Sequence, residues 1–538
     1  MDYETACSTF SWADILDGLG WTTDGPVNIA ATVDRHVVKS GVAMDWHGKD
    51  GANKQLNFAE MAEASSRFAN VLAGLGVAKG DRVAVIMPRV PETIIVMLGI
   101  WKAGAIYLPI FSAFGGGAIR LRLKDSGARV AITHANFKDS LEPVRDAVDG
   151  LIVVGGAAPD DIDFSAAMNA ASDRFDPVPV ARRDGAALLY TSGSTGPPKG
   201  VIISANFVAA TTPGGNYCGD LRDGDVYWPT GDPAWGYGLV CYALALSRGI
   251  PVVMWEAQPN GETMLEFMAA RGVTNLATVP TLLRAIMALG EDHVRSLNIP
   301  MRRIWCCGEP LNAEVVRFFR NVWGVTPLDT YGSSEMGLPV GNSAYEDELV
   351  KPGSMGRAVP GQYVTIIDEN GEELGDEEVG IIAMTPSREG FYAVSYWNNP
   401  ELTREVFEER WIATNDIGRR DGDGFLWFEG RADDVINSAG YRIGPFEVES
   451  ALIEHDAVAE AGVVGKPDQL RGHIVCAHVV LKPGIQPDED LEKELIAVVR
   501  DHLGAHATPR EFHFIEELPK TESGKIQRFK LRQEQLSR

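Results

Sequence analysis

The stretch Leu188–Val201, LLYTSGSTGPPKGV, gathers groups that can bind a polyphosphate. Thr191, Ser192, Ser194 and Thr195 supply hydroxyls, Gly193 and Gly196 are interleaved with them, and Lys199 follows. Glycine admits positive φ and lets the backbone approach a ligand closely. Successive backbone N–H groups then form an anion nest, to which hydroxyls and a lysine add donors. A Walker A loop requires Ser or Thr after its lysine, whereas Gly200 follows Lys199, so that motif is excluded. A flexible Ser/Gly linker is the plain alternative. Against it, Leu188–Tyr190 and Val201–Ile203 on either side read as buried strands.

A second concentration of chemistry is Asp329-Thr330-Tyr331-Gly332-Ser333-Ser334-Glu335-Met336-Gly337. An aromatic ring such as Tyr331 can stack on a purine, and the Glu335 carboxylate with the Ser334 hydroxyl can hold a hydrated Mg²⁺ beside phosphates. Taken alone, the segment could also be a turn that merely buries Tyr331. Gly308-Glu309-Pro310 precedes it, and Trp411-Ile412-Ala413-Thr414-Asn415-Asp416, Gly430-Arg431 and Gly524-Lys525 follow.

These motifs need a scaffold. Residues 1 to about 55 give few signals and read as an irregular lead-in. From Leu56 to Gly74 the apolar spacing is helical. Arg82–Met87, Ala105–Pro109 and Arg129–Thr133 then read as strands separated by helices over Pro91–Ala103 and Ala118–Ser126, the first opening on proline. The alternation resumes with strands at Val252–Trp255, Asn275–Val279 and Arg303–Cys307. It predicts parallel sheets with ligands at the carboxyl ends of their strands. Short strands and Gly-rich turns between Gly353 and Gly430 predict a small β-subdomain. Beyond it, helices at Phe446–His455 and Asp490–Leu503 and strands at Gly462–Lys466 and His473–Lys482 predict a separate α+β domain. The predicted fold is therefore α/β: a large domain of doubly wound sheets with a small β-subdomain over 1–430, and a small C-terminal domain over 431–538.

Composition narrows the function. A chain of 538 residues exceeds one core. A net charge of −25 argues against nonspecific nucleic-acid or anionic-membrane binding, and leaves any bound polyphosphate dependent on local cations. No apolar run reaches the length of a membrane span, and Met1–Trp12 lacks the pattern of a signal peptide, so the expected location is cytoplasmic. Cys7, Cys218, Cys241, Cys306, Cys307 and Cys476 show no C-x-x-C spacing and no histidines at ligand spacing. They read as reduced and mostly buried, neither a disulfide framework nor a zinc site.

In order and separation these motifs resemble those of the adenylate-forming enzymes: acyl-CoA synthetases, peptide-synthetase adenylation domains and luciferases. The resemblance spans roughly residues 55 to 535. It implies that ATP activates a carboxylic acid as an acyl-adenylate and that CoA then takes the acyl group. It assigns the loop Thr191–Gly196 and Lys199 to the β- and γ-phosphates, and Gly308, Glu309, Pro310 and Asp329–Ser334 to the adenine side. Glu335 and Ser334 fall to Mg²⁺, and Asp416 with Arg431 to the ribose. Asn415 replaces the usual glycine of that motif, and its tolerance of left-handed geometry is expected to keep Asp416 presented. Lys525 bridges the carboxylate and α-phosphate. Arg442, with Ala439, Gly440 and Tyr441, resembles the thioester-forming hairpin, and Arg471 matches a position near the CoA nucleotide. The small domain is expected to be mobile, turning about Asp433 between the two half-reactions.

Tyr441–Glu449 and Asp232–Gly236 most resemble the medium-chain branch of acyl-CoA synthetases. In acetate-specific relatives a tryptophan stands where this chain has Gly332. The expected acid is therefore medium-chain aliphatic or aromatic, with Trp235, Gly332 and Ser334 around it. The alternatives are a short-chain acetate or propionate ligase and an enzyme that loads a carrier protein. A luciferase-like monooxygenase and a catalytically inactive nucleotide sensor are more distant ones. The chain is expected to act as a monomer or homo-oligomer.

Overall fold

The computed structural model describes residues 2–191, 198–432, 434–438, 441–468, 471–505, 507–521 and 525–536. Ser192, Gly193, Ser194, Thr195, Gly196, Asp433, Ala439 and Gly440 lie outside the described residues, as do the side chains of Tyr441 and Arg442.

Among the described residues, an eight-stranded sheet runs from Ala393–Tyr396 through Lys199–Ser204, Gly185–Thr191, Ile106–Pro109, Arg82–Ile86, Val130–His134 and Gly150–Val154 to Ile162–Asp163. Its middle is parallel, whereas Gly185–Thr191 and Lys199–Ser204 form an antiparallel pair that aligns Thr191 with Lys199. A nine-stranded sheet carries the parallel run Tyr227–Pro229, Asn275–Thr278, Arg303–Cys307 and Pro327–Ser333. Two helices, Pro91–Lys102 and Gly236–Ser247, are buried almost all round and belong to one core that draws residues from both sheets. Apolar residues on every face are what such a helix requires.

A four-stranded antiparallel sheet, Val364–Ile367, Val379–Met384, Ile412–Arg420 and Leu426–Arg431, forms the β-subdomain. The small domain has its own core, built from helices Pro445–Ile453 and Glu489–Leu503 against strands Val458–Asp468 and Gly472–Leu481. Among the described residues no helix is long and apolar enough to cross a membrane.

The amino-terminal stretch differs from its expectation. It holds the short helices Tyr3–Ser8, Trp12–Leu19 and Ile29–Asp34, and strands Val42–His47 and Asn53–Asn57 complete the edge of the nine-stranded sheet. Its anchors are long-range. The Asn28 amide donates to the carbonyls of Trp101 (2.7 Å) and Val178 (2.9 Å). Asp34 pairs at 2.8 Å with Lys102, which also donates to Ser66 and to the Ala62 carbonyl. Lys102 is 1% exposed, and a buried ammonium is tolerated only when its donors are satisfied in this way.

Candidate active site

The nine-stranded sheet positions the site. Arg303–Cys307 ends at Gly308, whose φ of +98° turns the chain sharply into Glu309-Pro310-Leu311. The neighbouring strand Pro327–Ser333 folds back antiparallel onto Gly337–Gly341. Between these ends and the small domain opens a cavity of about 400 Å³. Gly308, Glu309, Pro310, Asp329, Thr330, Tyr331, Gly332 and Asp416 line it from the large domain, with Arg431 at the junction of the two. Lys525 and Arg528 line it from the small one. A cleft of this size between two domains is a usual place for a small-molecule site.

Each lining group is held. Asp329 accepts the Leu311 N–H at 3.3 Å, and burial pushes its carboxyl well up, so it ties the Gly308–Leu311 turn to its strand. The Thr330 hydroxyl donates to the Cys306 carbonyl at 2.8 Å. The Tyr331 hydroxyl donates to Asp416 Oδ2 at 2.7 Å; burial and the Asp416 carboxylate keep that phenol protonated. Asp416 faces Arg431 across adjacent strands, with 4.0 Å between their charged atoms. Asn415 lies inside the extended strand Ile412–Arg420 and outside the left-handed region. Presentation of Asp416 therefore needs no left-handed residue there, contrary to the expectation. Glu309 is already engaged, by Arg284 at 2.6 Å and the Thr281 hydroxyl at 2.8 Å.

Outside the cavity lining, Glu335 Oε1 accepts from the Tyr396 hydroxyl at 2.8 Å, and the Glu335 N–H donates to Ser333 Oγ at 3.2 Å. Tyr396 pairs with Val201, in the strand that begins with Lys199. Glu335 thus sits between the Ser333–Met336 turn, which includes Ser334, and the hairpin that carries Thr191 and Lys199. One carboxylate oxygen held by a phenol leaves the other for a metal-bound water, the single-carboxylate mode that suits Mg²⁺.

Lys525 reaches Gly308. A Cβ built there would lie 3.8 Å from Lys525 Cε. The same point lies 2.8 Å from Trp235 Cη2, so the indole edge and the lysine stem meet over a glycine whose missing side chain makes room for them. Trp235 caps helix Gly236–Ser247 and packs edge-on against Tyr237. Gly332 lines the cavity, but the position of its missing side chain is directed at Gly337. A Cβ there would collide with the Gly337 carbonyl oxygen, so this glycine exists for the close approach within the irregular hairpin. Its side-chain direction does not face open space.

The small domain docks through named contacts. Asn312 donates to Ser450 Oγ at 2.9 Å, and Arg317 pairs with Glu454 at 2.9 Å. Within the small domain, Arg528 is clamped between Glu449 (2.8 Å) and Asp434 (3.5 Å), and Arg532 holds Asp434 at 2.6 Å. Where strand Leu426–Arg431 meets helix Pro445–Ile453, burial and the neighbouring Glu429 push the Glu447 carboxyl well up. Arg471 is exposed, donates its backbone N–H to Asp468, and does not line the cavity. Sequence reasoning missed Arg284, Phe428, Phe446, Glu449 and Arg528 in the lining. Phe446 and Glu449 belong to the Tyr441–Glu449 stretch, but nothing in that stretch marks them as cavity residues, and only the fold brings in Arg284, Phe428 and Arg528.

The family model for AMP-binding enzymes matches residues 28–386, and that for the AMP-binding enzyme C-terminal domain matches residues 447–525. Acetyl-coenzyme A synthetase of Bacillus subtilis (strain 168) is 37% identical over 543 residues, covering 98% of this chain and 94% of that protein. The crystal structure of a Brucella canis acyl-CoA synthetase superposes with a TM-score of 0.78 at 37% identity, covering 99% of both chains. The anthranilate CoA ligase AuaEII, solved with anthranoyl-AMP, superposes with a TM-score of 0.87 at 28% identity, covering 96% of this chain and 98% of that one.

Proposed function

Because the chain belongs to the AMP-binding enzyme family and is an AMP-forming acyl-CoA synthetase working on a carboxylic acid, ATP and CoA with Mg²⁺, we propose that its acid is short, acetate or propionate. The observation that carries this is Trp235 at Gly308. Lys525 ends there, and if it bridges carboxylate and α-phosphate, the acyl group must begin beside the indole. An indole at that starting point stands in the way of a long chain. The name of the Bacillus relative favours the same short-chain alternative over the medium-chain reading drawn from Gly332. The glycine loses that meaning once its side-chain direction points into its own hairpin.

The proposed reaction runs in two halves. The acid's carboxylate attacks the α-phosphorus of ATP, pyrophosphate leaves, and negative charge grows on the phosphoryl oxygens; such a reaction is governed by positioning and positive charge. Lys525 supplies that charge at the α-phosphate. Asp416, fixed by Tyr331 and faced by Arg431, accepts from the ribose hydroxyls, and the Tyr331 ring lies along the adenine. Thr191–Gly196 and Lys199 hold the β- and γ-phosphates. Glu335, with Ser334, would hold Mg²⁺, which neutralises phosphate charge when bound. In the second half the CoA thiol displaces AMP, with the small domain (431–538) turned about Asp433 to present Ala439–Arg442 and with Arg471 near the CoA nucleotide.

Two measurements check this. Across straight-chain acids from acetate to decanoate, plus benzoate, acid-dependent AMP release in the presence of CoA should give its highest kcat/KM at acetate or propionate. A maximum at hexanoate or beyond, or at benzoate, would restore the medium-chain or aromatic reading. Separately, Tyr331→Phe removes one hydrogen bond to a carboxylate while keeping the ring. Such bonds contribute about 1.5–3 kcal/mol, so kcat/KM for ATP should fall by about ten- to a hundred-fold. An unchanged value would remove Asp416 from the ribose site.

A further inference from the structure

The small domain contains a second constellation that the ligase reaction does not use. Strand Gly472–Leu481 points alternate side chains to opposite faces, so Cys476 and His478 share one. The parallel strand Glu511–Phe514 sets His513 beside His478 and Glu511 beside Cys476. The ligand atoms of Cys476, His478 and His513 all lie within 4.8 Å of one another. Cys476 is 0% and His478 3% exposed, and the two imidazole centroids are 4.9 Å apart. We propose that Cys476, His478 and His513 form a binding site for a zinc-class divalent metal ion.

The donor chemistry suits that class. One thiolate and two imidazoles are a borderline-soft N/S set of the kind zinc takes tetrahedrally, with a fourth position left for water. The surroundings resemble a metal site's outer layer. His513 Nε2 meets Glu511 Oε1 at 2.8 Å, and Lys466 holds the same carboxylate at 2.7 Å. A carboxylate on one ring nitrogen fixes the tautomer and leaves the Nδ1 lone pair for a metal. The sequence offers no histidine at a conventional distance from a second cysteine. Strand pairing supplies His513 instead, a neighbour that sequence spacing does not reveal.

The ion would join the long central strand to its parallel neighbour. Cys476 also packs with Val464, Leu518 and Leu531, and Ile526 packs against that cluster. The site therefore lies under the segment that carries Lys525, and the bound ion stiffens its platform.

The test uses the full-length protein stripped with chelator and titrated with Co²⁺. The proposal expects saturable uptake at one ion per chain, with a thiolate-to-cobalt charge-transfer band and tetrahedral visible bands, all reversed by Zn²⁺. Cys476→Ser should abolish the charge-transfer band, whereas Cys7→Ser, at an exposed cysteine, should keep it. His513→Asn, at a partly exposed position, removes a direct ligand and should weaken Co²⁺ binding by more than about a hundred-fold, beyond what loss of an outer-layer partner costs, and guards against a misfolded Cys476→Ser. Zn²⁺ should raise the melting temperature of the wild type and leave that of His513→Asn unmoved. Absence of the band, its survival in Cys476→Ser, or unaltered affinity in a folded His513→Asn would overturn the site.

Discussion

Alanine in place of Lys525 is expected to slow acyl-adenylate formation by about a hundred- to a thousand-fold, the usual cost of one donor aimed at developing charge, about 2.7–4 kcal/mol. The geometry behind this is specific. The side chain lines the cavity shared with Tyr331, Asp416 and Arg431, and its Cε approaches the turn at Gly308. Its backbone is pinned as well: the Thr521 N–H donates to the Lys525 carbonyl at 2.8 Å, and the Lys525 N–H to Thr521 Oγ1 at 3.1 Å. The mutation therefore removes a charge from a fixed point. Acid-dependent ATP–pyrophosphate exchange reads the first half-reaction. Thioester formation from supplied acyl-adenylate and CoA reads the second, and should be nearly unchanged. Equal loss in both would mean that Lys525 supports the fold or both steps, and the assignment would fail.

That assignment was legible in the sequence because a glycine-hinged lysine followed the other motifs in the right order. The scaffold was legible for the same kind of reason. Pro91 at the start of a helix and apolar runs such as Val252–Trp255 and Arg303–Cys307 announce themselves locally. What escaped depends on contacts between distant residues. Strands Val42–His47 and Asn53–Asn57 are ordered by the sheet edge they complete, and Asp34 by a lysine in a later helix. Arg284 looks like any helical arginine until Glu309 is folded against it. The Cys476–His478–His513 cluster exists only because two strands run parallel in one register.

Gly332 carries the opposite lesson. Its identity was legible, yet its reason was misread. Compared with a tryptophan in acetate-specific relatives, a glycine suggests an open tunnel. In the fold it sits at the register shift between Tyr331 and Ser333, where the backbone comes against the Gly337 carbonyl. Any side chain there must first displace the Gly337 backbone, so Gly332→Trp would test the hairpin's tolerance before it tested the acid pocket.

Trp235→Ala is the cleaner probe, and it is expected to change the acid preference by about two orders of magnitude. The indole lies against Gly308 where the acyl chain must start, and its loss leaves Tyr237 and Gly231 beside the vacated volume. An apolar cavity gains about 0.8 kcal/mol for each methylene it takes from water. Hexanoate carries four more methylenes than acetate, which comes to about 3 kcal/mol, or about two hundredfold in the ratio of kcat/KM values. The wild type should favour acetate or propionate, and the variant should invert that order while keeping acid-independent binding of ATP. Because Trp235 is only partly buried and sits at a helix start, its removal should leave the protein folded. A folded variant with the wild-type chain-length profile would mean that some other group sets the floor. A wild type already fastest on hexanoate would mean that the indole swings aside when acid binds.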